Sequence, residues 1–86
     1  MSGDVEVTSA SVWPDDAADV DEGYLANWFV NEGSSVSEGE VICEIQVEKV
    51  SVDVPAPATG TISEVLVAEG GDFGRSDVLA RIESSE

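Results

Sequence analysis

Gly23-Tyr24-Leu25-Ala26-Asn27-Trp28-Phe29-Val30 and Gly60-Thr61-Ile62-Ser63-Glu64-Val65-Leu66-Val67 write one pattern twice, 37 residues apart. Leu25, Trp28 and Val30 fall on Ile62, Val65 and Val67, and the register holds beyond them. Glu32-Gly33 falls on Glu69-Gly70, Val36 on Phe73, and Val41, Ile42, Cys43 and Ile45 on Val78, Leu79, Ala80 and Ile82. A repeated pattern in a small chain predicts a repeated structure, here two halves on one plan. Each half consists of short runs of Val, Ile and aromatic residues punctuated by Gly, Ser, Asn and Asp. No stretch keeps a helical period long enough to bury a stripe, so the class is all-β. In Val41, Cys43, Ile45 and Val47 the apolar side chains alternate with Glu44, Gln46 and Glu48, predicting a strand with one dry and one wet face; Val78, Ala80 and Ile82 repeat this. After each glycine the apolar positions fall two, five and seven residues on, so the alternation slips near Ala26-Asn27 and near Ser63-Glu64. A β-bulge at each slip restores the inward direction. The expected architecture is a flattened sandwich of two four-stranded antiparallel sheets, packed face to face with quasi-two-fold symmetry.

Outside the repeat, the N-terminal strand is expected within residues 5–13. Pro14 and Pro55 are expected to end the strands that precede each half, where a missing N–H is tolerated. Residues 15–22 form an acidic loop, longer than its counterpart at 56–59, and residues 1–4 and 84–86 are expected to be frayed ends or linker stubs. The whole, residues 1–86, reads as a single domain with its core at about 5–82.

The chain carries 19 acidic and 3 basic side chains and no histidine, a formal net charge of −16. Such a charge repels phosphate backbones and anionic lipid at long range, so nucleic acid and membrane surfaces are not expected partners. Without histidine the commonest general base and metal ligand are gone, and one cysteine makes no internal disulfide. No basic segment followed by an apolar one opens the chain, and no apolar run approaches the roughly 20 residues of a membrane helix; a soluble, cytoplasmic protein is expected. A hydrophobic content of 42% is that of a folded domain, which places the carboxylates on the surface. They read as a solvated shell of the kind that suits a high-salt cytoplasm, or as steering toward basic partners; the two are compatible.

Lys49 is the only lysine. It sits between the strand ending near Val47 and the one running from Val50 to Val54, on a hairpin joining the halves of the repeat. Taken alone, a turn lysine is as well explained as a solubilising or edge-guarding charge. The residues around it carry more: Gly23, Leu25, Trp28, Val30, Glu32-Gly33, Val36, Gly39, Ile42 and Ile45, then Glu48-Lys49-Val50, then Pro55-Ala56-Pro57, Gly60 and Ile62. This pattern, covering residues from about 5 to 82, resembles the lipoyl domain of 2-oxoacid dehydrogenase complexes, within the wider biotinyl/lipoyl attachment family.

The resemblance implies a flattened β-barrel whose hairpin lysine, Lys49, carries covalent lipoate, with Glu48 and Val50 as the flanks read by a lipoate protein ligase. Biotin carriers usually place methionine on both sides of that lysine, and lipoyl domains usually place Asp before it and Ala after it. Glu48 keeps the acidic character and no methionine flanks Lys49, which favours lipoate over biotin. The implied role is a carrier and not a catalyst: a swinging arm that shuttles acyl groups and electrons. Its implied partners are a thiamine-dependent 2-oxoacid decarboxylase, an acyltransferase core and dihydrolipoyl dehydrogenase. The alternatives are a biotin carrier of a carboxylase and an unmodified interaction domain of the same fold.

Other chemistry-bearing residues read as structural. Cys43 falls on the dry face with Ala80 as its mate, a small core residue. Trp28, the mate of Val65, also reads as core, whereas Trp13 and Tyr24 are expected to be partly exposed near the loops. Asp15, Asp16, Asp19, Asp21 and Glu22 lack the spacing and turn glycine of a calcium loop and read as solvated. No catalytic or metal-binding residue is expected.

Overall fold

Valine-rich alternation broken by glycine produces eight strands in the computed structural model, which describes residues 3–84. They are β1 (Asp4–Thr8), β2 (Glu22–Trp28), β3 (Ser35–Val36), β4 (Val41–Val47), β5 (Val50–Pro55), β6 (Gly60–Val65), β7 (Asp72–Gly74) and β8 (Val78–Ser84). Two four-stranded antiparallel sheets result, ordered β1-β8-β6-β3 and β5-β4-β2-β7. Under the repeat, β4 corresponds to β8, β2 to β6 and β3 to β7. β1 completes the set, because Val7 opposes Ala80 just as Val54 opposes Cys43. The two sheets therefore have one order. With β1–β4 and β5–β8 as the halves, each sends its first and third strands into the sheet that holds the other half's second and fourth, which interlocks them.

The bulges fall where the spacing predicts them. Pairing jumps from Leu25 to Asn27 against β4 and from Ile62 to Glu64 against β8. A second matched pair of slips corrects the simple alternation: register shifts between Val41 and Cys43 in β4 and between Val78 and Ala80 in β8. Ile42 and Leu79 consequently face inward with no exposure, whereas Val41 turns out, 38% exposed. Between the sheets lie Leu25, Ile42 and Ile45 with their mates Ile62, Leu79 and Ile82, all fully buried. Each such side chain contributes about 1.5–3 kcal/mol of hydrophobic stabilisation.

Two carboxylates tie the halves together at matched places. Glu32 Oε2 accepts the Val65 N–H at 2.8 Å, and Glu69 Oε2 accepts the Trp28 N–H at 3.1 Å. The Glu-Gly pair of each half thus satisfies a backbone donor just past the bulge of the other half, where the ladder does not.

The segment between β1 and β2 departs from expectation. β1 stops at Thr8, and the chain continues through 3-10 turns at Ala10–Val12 and Asp15–Ala17, so Pro14 leads into the second turn and does not end a strand. Pro55 does close β5. The turns fold Trp13 inward: it is buried, not partly exposed, with Nε1 donating to the Ala17 carbonyl at 3.0 Å. Its ring meets Phe73 edge-on with centroids 6.4 Å apart, and the Arg75 guanidinium lies 5.5 Å from it. Asp4 and Ser84 belong to β1 and β8 and are not frayed; residues 1–2 and 85–86 lie outside the described residues.

Candidate functional site

The β4–β5 hairpin turns in two residues, Glu48 and Lys49, closed by the pair Val47 and Val50. Val47 is fully buried and Val50 half-buried, so the turn stands on an anchored base. Glu48 has φ 56°, the only positive φ outside glycine among the described residues. Two-residue hairpins demand such a conformation, which matches the twist of the flanking strands, and a residue with a Cβ adopts it at some cost. Gln46, opposite Tyr24 on β2, donates from Nε2 to the Glu48 carbonyl at 3.2 Å. It braces the turn from the strand below. Gln46 was not singled out from the sequence, although an outward polar residue two positions before a tight turn is the signal that finds it.

Lys49 is exposed at the tip of this turn, with no ion pair or hydrogen bond to the described residues. Chain geometry therefore fixes its Cα while the amine stays free, which suits a side chain that must enter another protein's active site and be acylated there. Below the hairpin, Val20, Glu22, Tyr24, Gln46, Glu48 and Asp72 line a groove of about 370 Å³. Its charged members are all carboxylates. Tyr24 is 43% exposed, as its sequence context suggested. The loop acids Asp15, Asp16, Asp19, Asp21 and Glu22 are all exposed, and no metal-binding group of three or more ligands occurs among the described residues.

Cys43 lies between the sheets, where burial raises its thiol from 9.0 to about 12. It is an inert core residue. Trp28 is half-buried against the core, its Nε1 donating to the Val67 carbonyl at 2.8 Å across the repeat.

This geometry, a two-sheet β fold with one lysine offered on a tight hairpin, is suited to carrying a covalently attached group. The family model described as "Biotin-requiring enzyme", the biotin/lipoyl attachment family, matches residues 12–82, and the chain belongs to that family. The chain is 36% identical over 73 residues to the dihydrolipoyllysine-residue acetyltransferase component of the pyruvate dehydrogenase complex of Staphylococcus aureus strain Mu50. It is equally similar to the component of the same name from Staphylococcus epidermidis. The matched segment is 85% of this chain but spans 17% of those relatives. Among solved structures, the lipoyl domain of the 2-oxoglutarate dehydrogenase complex from Azotobacter vinelandii superposes with a TM-score of 0.68 at 26% identity, covering 92% of each chain.

Proposed function

We propose that the chain is a lipoyl carrier domain of a 2-oxoacid dehydrogenase complex, with Lys49 as the residue that holds the lipoyl group. One observation carries the assignment to Lys49: the chain's single lysine stands exposed, without a partner among the described residues, at the tip of a braced two-residue turn. When attached, a lipoyl group supplies a dithiolane that accepts an acyl group with two electrons and passes the acyl group to coenzyme A. The chain's own residues position it. Gln46 and the left-handed Glu48 hold the turn, Val47 and Val50 root it, and the lysine stem supplies reach. Tethering keeps the arm at an effective concentration of the order of millimolar at partner sites.

For modification, the Lys49 amine attacks the acyl carbon of lipoyl adenylate; the amide C–N bond forms and AMP leaves. The lost proton goes to a base on the ligase, since this chain has no histidine to take it. The proposed partners are accordingly a lipoate protein ligase, a thiamine-dependent decarboxylase, an acyltransferase core and dihydrolipoyl dehydrogenase. The names of the staphylococcal relatives and of the Azotobacter domain support this reading.

The family description names biotin, so biotin is the reading to test against. Glu48 and Val50, in place of flanking methionines, weigh toward lipoate. Intact mass after co-expression with a lipoate ligase, and separately with a biotin ligase, decides: a lipoyl increment that vanishes in Lys49→Arg is expected. A biotin increment, or a lipoyl adduct that survives the substitution, overturns the reading.

A further inference from the structure

The internal repeat acts as a control within one molecule: where the two sheets differ at matched positions, the difference is not a requirement of the fold. On the outer face of the first sheet, a row across β1, β8 and β6 reads Glu6, Arg81, Glu64. Arg81 lies 3.8 Å from the Glu6 carboxylate and 3.2 Å from that of Glu64. The matched row across β5, β4 and β2 of the second sheet reads Asp53, Glu44, Asn27. Glu44 takes the place of Arg81. It stands directly opposite Asp53 on the neighbouring antiparallel strand, where like charges repel. Asn27 Nδ2 donates to Glu44 Oε1 at 2.9 Å, and no ion pair among the described residues joins the row.

At the end of the same sheet away from the hairpin the surface turns apolar. Phe29 is 58% exposed and Val41 38%. Val41 opposes the exposed Pro55, and the Phe29 N–H donates to the Ile42 carbonyl at 3.0 Å, so the three residues follow one another across the sheet. On the first sheet, the position matching Phe29 is Leu66, itself 41% exposed, but those matching Val41 and Pro55 are Val78 and Thr8, both half-buried, so only the second sheet extends the exposed apolar surface over three residues. A single exposed apolar residue needs no explanation, but three in sequence beside an unneutralised carboxylate pair mark an interaction surface.

We propose that the outer face of the second sheet docks a basic partner protein, one that presents lysine or arginine to Glu44 and Asp53 and an apolar side chain to Phe29, Val41 and Pro55. Charge selects the occupant. The first sheet neutralises its row with its own Arg81, whereas the second must receive a cation from outside. A second copy of this chain, itself at −16, brings further like charge instead. The face lies on β4 and β5, the strands that carry Lys49. From Val41 to Val47 the strand runs about 20 Å at ~3.3 Å per residue. A partner held at the apolar end leaves the hairpin tip unobstructed, so the inference stands whatever Lys49 carries.

The test is amide mapping on the ¹⁵N-labelled protein at low salt, using a synthetic peptide of alternating lysine and leucine as the probe. Peptides alternating glutamate with leucine and lysine with serine are the controls. The lysine–leucine peptide should shift the amides of Asn27, Phe29, Val41, Glu44 and Asp53 and leave those of Glu64 and Arg81 in place. Phe29→Ser with Val41→Thr, and separately Glu44→Gln with Asp53→Asn, should each weaken binding by about fivefold or more. Leu66→Ser, the mate of the Phe29 change, should not, and thermal melts should show all three variants folded. The proposal is overturned by an absence of binding, by equal shifts on both faces, by equal binding of the lysine–serine peptide, or by affinity that survives both double variants. Self-association through the same amides without peptide also overturns it, since the occupant would then be a second copy.

Discussion

Gly23 and Gly60 hold matched positions in the repeat, yet adding one methyl group at each should have unequal effects. At Gly60 a Cβ would land on the Glu83 carbonyl oxygen, with Glu83 C and Ile82 Cγ2 each 2.9 Å away. The obstruction is backbone, in β8 at the centre of the first sheet, and Gly60 sits in its ladder opposite Ser84. Making room means separating β6 from β8, which sacrifices one or two ladder hydrogen bonds at about 1 kcal/mol each. Overpacking adds about 1–3 kcal/mol, and the smaller entropy of unfolded alanine returns about 0.4–1. The net for Gly60→Ala is a loss of about 3 kcal/mol, or a fall in Tm of roughly 12–25 °C for a domain of this size. At Gly23 the first atom met is Phe73 Cζ at 2.7 Å, the end of a side chain that can pivot against Trp13, so Gly23→Ala should cost about 1–2 kcal/mol. Urea unfolding followed by tryptophan fluorescence measures both. If Gly60→Ala stayed within 1 kcal/mol of the parent, or Gly23→Ala proved the more damaging, the argument that backbone and side-chain obstruction differ in kind would fail.

Three further outcomes follow from the same structure. Glu32→Ala and Glu69→Ala should each destabilise by about 1 kcal/mol, each leaving a backbone N–H without its carboxylate, and glutamine at either place should recover most of the loss in denaturant melts. Because burial raises Cys43 to about 12, the unfolded chain ionises this thiol near pH 9 while the folded one keeps its proton. Stability should be intact below pH 9 and fall between about 9 and 12 by up to ~1.4 kcal/mol per pH unit, and Cys43→Ala should flatten that slope. With a net charge of −16, self-repulsion should weaken folding at low ionic strength. Tm should climb with potassium chloride as the screening length falls from about 30 Å at 0.01 M to about 3 Å at 1 M, and a flat Tm would end the high-salt reading of the composition.

The repeat made much of the fold legible, because a two-residue side-chain period and a conserved slip in it are local properties of the chain. The bulges at Ala26 and Ser63 are legible in the chain for that reason, as is the inward direction of Leu25 and Ile62. The second slip was hidden. Val41-Ile42-Cys43 is apolar throughout, so composition does not say which residue turns outward, and only pairing against Pro55 and Val54 decides it. The burial of Trp13 is hidden for a similar reason: a tryptophan beside a proline and two aspartates looks like loop, and its burial depends on Phe73 and Arg75, which are far away in sequence.

By itself the sequence determined the all-β class, the two matched halves and the uniqueness of Lys49, all carried by spacing and residue type along the chain. Only the tertiary structure decided that the first and third strands of each half join the sheet holding the other half's second and fourth, that Glu32 and Glu69 each serve the opposite half, and that Gln46 braces the turn beneath Lys49. The physical reason is the same in each case: a hydrogen-bond donor or a sheet edge is satisfied by whichever group the packed core brings within about 3 Å, and sequence distance does not enter that condition.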